Sequence, residues 1–169
     1  SAAGHVHDPN GVSPFAGERS TWLYEPRANR WIRVSDLNPR PGASNGGGRW
    51  YPTLVTLGNG EVMAFSGHPQ AEDPRHNNDR PERYSPWSNR WTTMATTIWT
   101  GNAAGRGFYP RAHLLRDGLV FIAMHIAGSN KRLFDPFADQ LLGTDIGCTG
   151  IKAYDNFWDV PSVLLPLLP

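Results

Sequence analysis

Short apolar runs alternate with turn-forming residue pairs along the chain, a pattern that predicts β-strands rather than helices. Two such turns lie between paired runs: Asn59-Gly60 between Thr53–Leu57 and Glu61–Phe65, and Asp117-Gly118 between Ala112–Leu115 and Leu119–Ala123. Asn-Gly and Asp-Gly favour two-residue type I′ hairpins, in which both central residues have positive φ. We therefore predict two antiparallel hairpins with type I′ turns.

A second turn motif recurs between these hairpins. Tyr24-Glu-Pro-Arg-Ala-Asn-Arg-Trp31 returns 60 residues later as Tyr84-Ser-Pro-Trp-Ser-Asn-Arg-Trp91, and more weakly as Phe134-Asp-Pro-Phe-Ala-Asp-Gln-Leu141. Pro and Asn favour a short turn between two strands. The aromatic residues on either side of the turn are expected to pack face to face across the hairpin.

The two motifs alternate, so that one period holds four antiparallel strands. A four-stranded unit repeated every 50–60 residues is typical of a kelch-type propeller blade. The sequence thus predicts an all-β, partial kelch-type β-propeller, with two complete four-stranded blades and incomplete flanking blades. The expected boundaries are 1–48 for the end of one blade, 49–107 and 108–160 for the two complete blades, and 161–169 for the first strand of the next.

A propeller closes with about 4–8 blades. We therefore expect the ring to be completed by the remaining blades or by another polypeptide, which would cover the apolar edges that an open ring exposes.

The composition argues against several structural features and kinds of partner. The 169 residues include 18 Gly and 15 Pro, which disfavour long helices. The net charge of +1 predicts no nucleic-acid partner, and no apolar run is long enough to predict a membrane span. Cys148 is the single cysteine, so no internal disulfide can form; we interpret it as an unreactive loop thiol.

Arg49-Trp50-Tyr51, the Asn-Gly hairpin after it and the Tyr-x-Pro-x-x-Asn-x-Trp turn resemble the galactose oxidase/glyoxal oxidase family. Tyr109-Pro-Arg and Ser162-Val-Leu-Leu-Pro-Leu-Leu-Pro169 resemble bacterial members in the same order. The resemblance implies a seven-bladed kelch propeller with a copper-radical site. It also implies oxidation of primary alcohols, aldehydes or sugars by O₂ with release of H₂O₂, and an extracellular or periplasmic location.

The resemblance gives Tyr51 two roles, as the catalytic radical tyrosine and as a copper ligand. In the family this tyrosine is linked to a cysteine by a thioether, and the resemblance implies that this cysteine lies upstream of Ser1 and the other ligands downstream of Pro169. Copper is therefore expected in a complete parent protein and not in this chain alone. The family's shielding tryptophan is expected after Gly67, where His68 stands instead.

Trp50 and His68 are the candidate substrate-binding residues, and carbohydrates, alcohols or aldehydes are the candidate substrates. Each assignment has a structural alternative: Tyr51 as an ordinary inner-strand aromatic residue like Tyr109, and His68 as a solvated loop residue. His5 and His7 fit a polar loop better than a metal site, and His76 fits a solvated loop residue better than the lining of a substrate entrance. The alternative function is a non-catalytic kelch propeller that serves binding or assembly.

Overall fold

The computed structural model describes residues 17–39, 47–69, 78–98, 109–123, 132–143 and 163–164. Within these ranges the chain is all-β, without helices, and forms three antiparallel sheets. The predicted fold class is thus confirmed as all-β with two four-stranded antiparallel sheets. The predicted strand in 161–169 lies almost wholly outside the described residues.

Ten strands are present in the described ranges, and every sheet follows the order of the chain. The two-stranded sheet contains β1 (Thr21–Glu25) and β2 (Arg30–Val34). The first four-stranded sheet contains β3 (Thr53–Thr56), β4 (Val62–Phe65), β5 (Glu82–Ser85) and β6 (Arg90–Thr93). The second contains β7 (Arg111–Leu114), β8 (Val120–Ala123), β9 (Arg132–Asp135) and β10 (Gln140–Leu142).

The Asn-Gly and Asp-Gly hairpins form where predicted, but their type I′ turns were predicted wrongly. Gly60 has φ of 87°, whereas Asn59 is not in the positive-φ region. Gly60 N donates to Leu57 O at 2.9 Å and Leu57 N donates to Glu61 O at 2.8 Å, which defines a three-residue loop. Gly118 repeats this geometry with φ of 89°. This loop needs a left-handed conformation at glycine alone, which glycine adopts without steric cost.

The recurring aromatic residues lie opposite each other on the paired strands of their hairpins. Tyr24 pairs with Trp31 and Tyr84 with Trp91. Their ring centroids are 5.2 Å apart in both cases, but the planes are inclined by 48° and 45°, so the predicted face-to-face packing is wrong. The ring quadrupole disfavours a face-to-face sandwich and favours inclined or offset arrangements.

Alternate side chains of β4 point to opposite faces and join the three sheets. Met63 and Phe65 are buried against the second four-stranded sheet, where Phe65 meets Phe134 edge-on with centroids 6.0 Å apart. Ala64 and Val62 belong to a second cluster on the other face, together with Tyr84 of β5 and Trp91 of β6. Val34, which ends β2, and Leu37, which follows it, complete this cluster. The sheet β3–β6 therefore packs on both faces.

A repeated hydrogen bond also links successive sheets. The last residue of each four-residue turn, Asn29, Asn89 or Asp139, has positive φ. Asn89 Oδ1 accepts from Ser35 N at 3.0 Å, and Asp139 Oδ2 accepts from Ala95 N at 2.6 Å. Ser35 and Ala95 are 60 residues apart and follow equivalent hairpins. We call this contact the turn clasp.

Candidate functional site

Tyr51 lies two residues before the start of β3, in a backbone conformation that its sequence does not favour. Its φ is 61°, although it precedes Pro52, a position that favours extended backbone. Tyr109 precedes Pro110 and β7, and has φ of 47°. The left-handed conformation costs a residue with a side chain about 1–2 kcal/mol. Both repeats therefore have a tyrosine in a strained backbone conformation at the equivalent position before the first strand.

These two rings and that of Trp50 form one aromatic stack. The centroids of Trp50 and Tyr51 are 3.9 Å apart with planes inclined by 17°, and those of Tyr51 and Tyr109 are 4.5 Å apart at 25°. Tyr109 N donates to Tyr51 O at 3.1 Å. Tyr51 is 36% exposed and Tyr109 39%, whereas Trp50 is 9% exposed. The aromatic stack thus has a buried indole end and an exposed phenol end.

The predicted substrate residues Trp50 and His68 are brought together by an isolated antiparallel bridge. Trp50 N donates to His68 O at 2.9 Å, and His68 N donates to Trp50 O at 2.8 Å. The bridge extends the β3–β4 pairing past Tyr51. His68 is 1% exposed, so the structural alternative of a solvated loop histidine is wrong.

A buried ion pair, absent from the sequence prediction, holds the residue before Trp50. Arg49 is 1% exposed, and its Nη2 lies 2.8 Å from Glu82 Oε1. Its guanidinium also donates to Ser66 O at 2.6 Å and Arg80 O at 3.0 Å. The other oxygen of Glu82 accepts from Asn38 N at 2.9 Å. Burial lowers the pKa of Arg49 from its ordinary value, and the charge and hydrogen bond of Glu82 oppose that shift.

This ion pair distinguishes the Tyr51 repeat from the Tyr109 repeat. In the sequence of the Tyr109 repeat the corresponding residues are Gly107 and Arg132, which cannot form an ion pair with each other. The position of Arg49 at the start of the Arg-Trp-Tyr motif was the sequence feature that could have pointed to this ion pair. Glu82 gave none, because a charged residue at the start of a strand normally faces solvent.

Asn78 fastens the same region and was also missed. Its Nδ2 donates to Gly48 O at 2.7 Å and to Gly67 O at 3.1 Å, and its backbone N donates to Gly67 O at 2.9 Å. Gly48 precedes Arg49 and Gly67 precedes His68. Asn78 thus joins the two backbone segments that carry the Trp50–His68 bridge.

A polar cavity of about 230 Å³ lies beside the ion pair. Its lining is charged or polar except for one proline and one glycine: Asn38, Pro39, Gly47, Arg49, Asn78, Asp79, Arg80, Glu82 and Thr93. Trp50, Tyr51 and His68 are not among these residues. The cavity and the aromatic stack therefore share no residues.

The surroundings of the Tyr109 phenol in the aromatic stack change its pKa. Burial raises the pKa of Tyr109 above its ordinary value, and the neighbouring Tyr51 phenol raises it further. The positive charge of Arg111 opposes both effects. Proximity to Tyr51 therefore disfavours ionisation of Tyr109.

The described residues do not fit a copper ion on their own. Within the ranges that the structure describes, no group of three or more His, Cys, Asp or Glu residues is placed to hold a metal. Tyr51 would supply a single phenolate where a tetragonal copper site needs several N and O donors. His5, His7, His76 and Cys148 lie outside the described residues.

Comparison with protein-family models and with curated proteins gives no match for this chain. The part of the chain that the structure describes contains no helix long and apolar enough to cross a membrane.

Proposed function

We propose that the chain forms consecutive blades of a kelch-type propeller like that of galactose oxidase and glyoxal oxidase, with Tyr51 as its redox-active side chain. The packing of the first strands supports this arrangement. β3 and β7 lie against each other, and Thr53 Oγ1 donates to Pro110 O at 2.6 Å. First strands that adjoin in successive four-stranded sheets are expected around the axis of a propeller.

The turn clasp provides independent support for successive blades. The same type of contact joins the two-stranded sheet to β3–β6 and β3–β6 to β7–β10, through Asn89 and Asp139. Contacts that recur between nearest neighbours are characteristic of repeat proteins.

The open face of β1–β2 supports a further partner, either another blade or another polypeptide. The large side chains of this face, Trp22, Tyr24 and Trp31, are exposed, as are Leu23 and Ile32 on the opposite face of the sheet. Asn29 occupies the turn position at which Asn89 and Asp139 accept hydrogen bonds from the backbone of the preceding unit. The Asn29 side chain instead accepts a hydrogen bond from Tyr24 Oη at 2.7 Å. We propose that a preceding blade covers these aromatic residues and reaches Asn29 through a turn clasp.

The observation that carries the redox proposal is the position of Tyr51 within the aromatic stack. Its ring lies between Trp50 and Tyr109, and part of it is open to solvent. The resemblance implies an indole stacked on the radical tyrosine, and His68 follows Gly67 where that tryptophan was expected. Trp50 supplies a stacked indole from the adjacent position.

In the complete protein, Tyr51 would be one copper ligand and the remaining ligands would come from outside the described residues. The proposed reaction oxidises a primary alcohol, an aldehyde or a sugar with O₂ and releases H₂O₂. Trp50 and His68 remain proposed substrate contacts. Both residues are buried in this chain, so a substrate would reach only the edge of either side-chain ring. An extracellular or periplasmic location belongs to the same proposal.

A non-catalytic propeller that serves binding or assembly is the second candidate. The exposed aromatic face of β1–β2 favours it, because a large apolar surface marks a site of protein contact. The lack of a metal-binding group within the described ranges is compatible with either candidate.

The test uses the protein isolated together with whatever completes its ring. Copper content and H₂O₂ release are measured with primary alcohols, aldehydes and hexoses, and a tyrosyl radical is sought by electron paramagnetic resonance. We expect bound copper and peroxide release, and loss of both the radical signal and peroxide release in Tyr51→Phe. Tyr24→Phe is the matched control, since Tyr24 lies on the β1–β2 hairpin.

Two results would contradict the oxidase proposal. A folded, complete protein that holds no copper and releases no peroxide would favour the non-catalytic propeller. One copper bound tightly by the 169-residue chain alone would show that the ligands do not lie elsewhere.

A further inference from the structure

We propose that Tyr51 and Tyr109 form an oxidative modification site, at which a one-electron oxidant joins the two rings as dityrosine. Their centroids are 4.5 Å apart and their planes are inclined by 25°. Both side chains are more than a third exposed, so an oxidant in solution can reach them. The inference concerns the phenols alone and requires no copper.

The fold holds these rings together although they are 58 residues apart in the sequence. Tyr109 N donates to Tyr51 O at 3.1 Å, and both tyrosines have positive φ, 61° at Tyr51 and 47° at Tyr109. Trp50 stacks on the other face of Tyr51 and restricts its movement away from Tyr109. Reactants held in this way behave as though present at a very high local concentration.

The coupling balances with hydrogen peroxide as the oxidant, used by a haem peroxidase. Each phenol loses one electron and one proton and becomes a phenoxyl radical. The two radicals combine through ring carbons next to the hydroxyl groups, forming one C–C bond. Each of these carbons then loses its hydrogen as a proton while each oxygen regains one, which restores both aromatic phenols. Overall, two hydrogen atoms leave the protein and one H₂O₂ becomes two H₂O.

The other described tyrosines lack this arrangement. Tyr24 is exposed but lies against Trp31, and Tyr84 is buried against Trp91. Tyr154 lies outside the described residues. Tyr24 is therefore the matched control, because it is exposed and has an indole rather than a phenol as its ring neighbour.

The product would be a covalent link between the two four-stranded sheets. It would join the residues before β3 and β7 and close a loop through 58 residues, which restricts the unfolded chain as a disulfide does. We therefore expect the thermal unfolding midpoint to rise after coupling in the wild-type chain.

The experiment treats the dilute 169-residue chain with a peroxidase and limiting H₂O₂, and in parallel with a small photochemical one-electron oxidant. After trypsin, mass spectrometry seeks a link between the peptides 50–75 and 107–111, with the loss of two hydrogen masses. We expect this species, with blue dityrosine fluorescence, in the wild type and in Tyr24→Phe. Tyr51→Phe and Tyr109→Phe, which keep the ring, should each lose the linked peptide and most of the fluorescence.

Circular dichroism establishes that each variant retains the wild-type fold before oxidation. The proposal is overturned if neither oxidant produces the 51–109 link, if linked dimers predominate at low protein concentration, or if Tyr51→Phe keeps the fluorescence of the wild type. Failure of the copper oxidase test would leave this result unaffected, because the two measurements share no metal and no substrate.

Discussion

At the scale of single residues, the buried ion pair of Arg49 and Glu82 is the strongest constraint on the segment that carries Tyr51. Removal of one partner from a buried pair leaves an uncompensated charge and costs about 3–5 kcal/mol. We expect Glu82→Ala to lower the free energy of unfolding by about this amount, as measured by urea denaturation. Glu82 also accepts from Asn38 N, so this variant additionally loosens the connection to the two-stranded sheet.

The chain offers an exposed ion pair as a control. Arg33 Nη2 lies 3.1 Å from Asp36 Oδ1, and both side chains are largely exposed. Exposed pairs contribute about 0–1 kcal/mol, so Asp36→Ala is expected to have a small effect. Equal losses from the Glu82 and Asp36 variants would show that burial does not make the Arg49 pair special.

Stability at high pH should report the phenols of Tyr84 and Tyr109, because burial raises the pKa of both above the ordinary value. Below about pH 10 both are protonated in the folded and the unfolded chain, so they add no pH dependence. At higher pH the unfolded chain loses these protons first, and stability falls as pH rises through the raised folded pKa values. Denaturation in urea from pH 8 to 11 measures this loss.

Tyr109→Phe is expected to make that alkaline loss smaller, because phenylalanine has no proton to release. Titration of tyrosinate absorbance provides a second readout, in which one of the two late-ionising phenols should be missing from the Tyr109→Phe curve while that of Tyr84 remains. An identical pH profile in wild type and variant would contradict the assignment.

At the scale of secondary-structure elements, the sequence predicted the hairpins better than their turns. Asn59-Gly60 and Asp117-Gly118 identified both hairpins, but the dipeptides fit either a two-residue or a three-residue loop. Hydrogen bonds from Leu57 and Leu115 across the loop select the three-residue form. A dipeptide cannot reveal this choice, because it depends on the register at which the two strands pair.

The same loops yield a matched pair of glycine substitutions. A Cβ at Gly118 or at Gly58 would meet nothing within 4 Å, but Gly118 has φ of 89° and Gly58 is not in the positive-φ region. Gly118→Ala is expected to cost about 1–2 kcal/mol in free energy of unfolding. Gly58→Ala is expected to be neutral or to stabilise by up to about 1 kcal/mol, since alanine reduces the freedom of the unfolded chain.

Thermal and urea unfolding of the two alanine variants measure the difference. Because neither site is crowded, the difference between the two variants reports backbone conformation and not side-chain packing. If Gly58→Ala destabilises the chain as much as Gly118→Ala, the loop geometry is not as described.

Contacts between elements were the least predictable part of the candidate site. The 58-residue offset made Tyr51 and Tyr109 equivalent, but equivalence did not reveal that their rings meet. Pre-proline positions also predict extended backbone, whereas both tyrosines have positive φ. Glu82 meets Arg49 from another strand, and no local pattern of a single sequence encodes such a pairing.

At the scale of the whole molecule, the three sheets differ in how much of their surface is covered. The sheet β3–β6 packs on both faces, with Met63 and Phe65 on one and Ala64 on the other. Most residues of β1 and β2 are exposed, and that sheet has two strands. A two-stranded hairpin is marginally stable alone, so its stability here depends on Leu37 and on the turn clasp at Asn89.

Hydrogen exchange should therefore divide the molecule by sheet. Amides of β4 are expected to exchange most slowly, because this strand is central and buried, and those of β1–β2 on the order of tenfold faster or more. Asn89→Ala removes the side chain that accepts from Ser35 N, and should accelerate exchange in β1–β2 more than in β8. Tyr84→Phe is the matched control, since Tyr84 Oη donates to the same Asn89 Oδ1 at 3.0 Å and its loss leaves the contact between Asn89 and Ser35 in place. Equal protection of β1–β2 and β4 in the 169-residue chain would mean that the aromatic face needs no covering partner. A protein that completes the ring should slow exchange in β1–β2 before it slows exchange elsewhere.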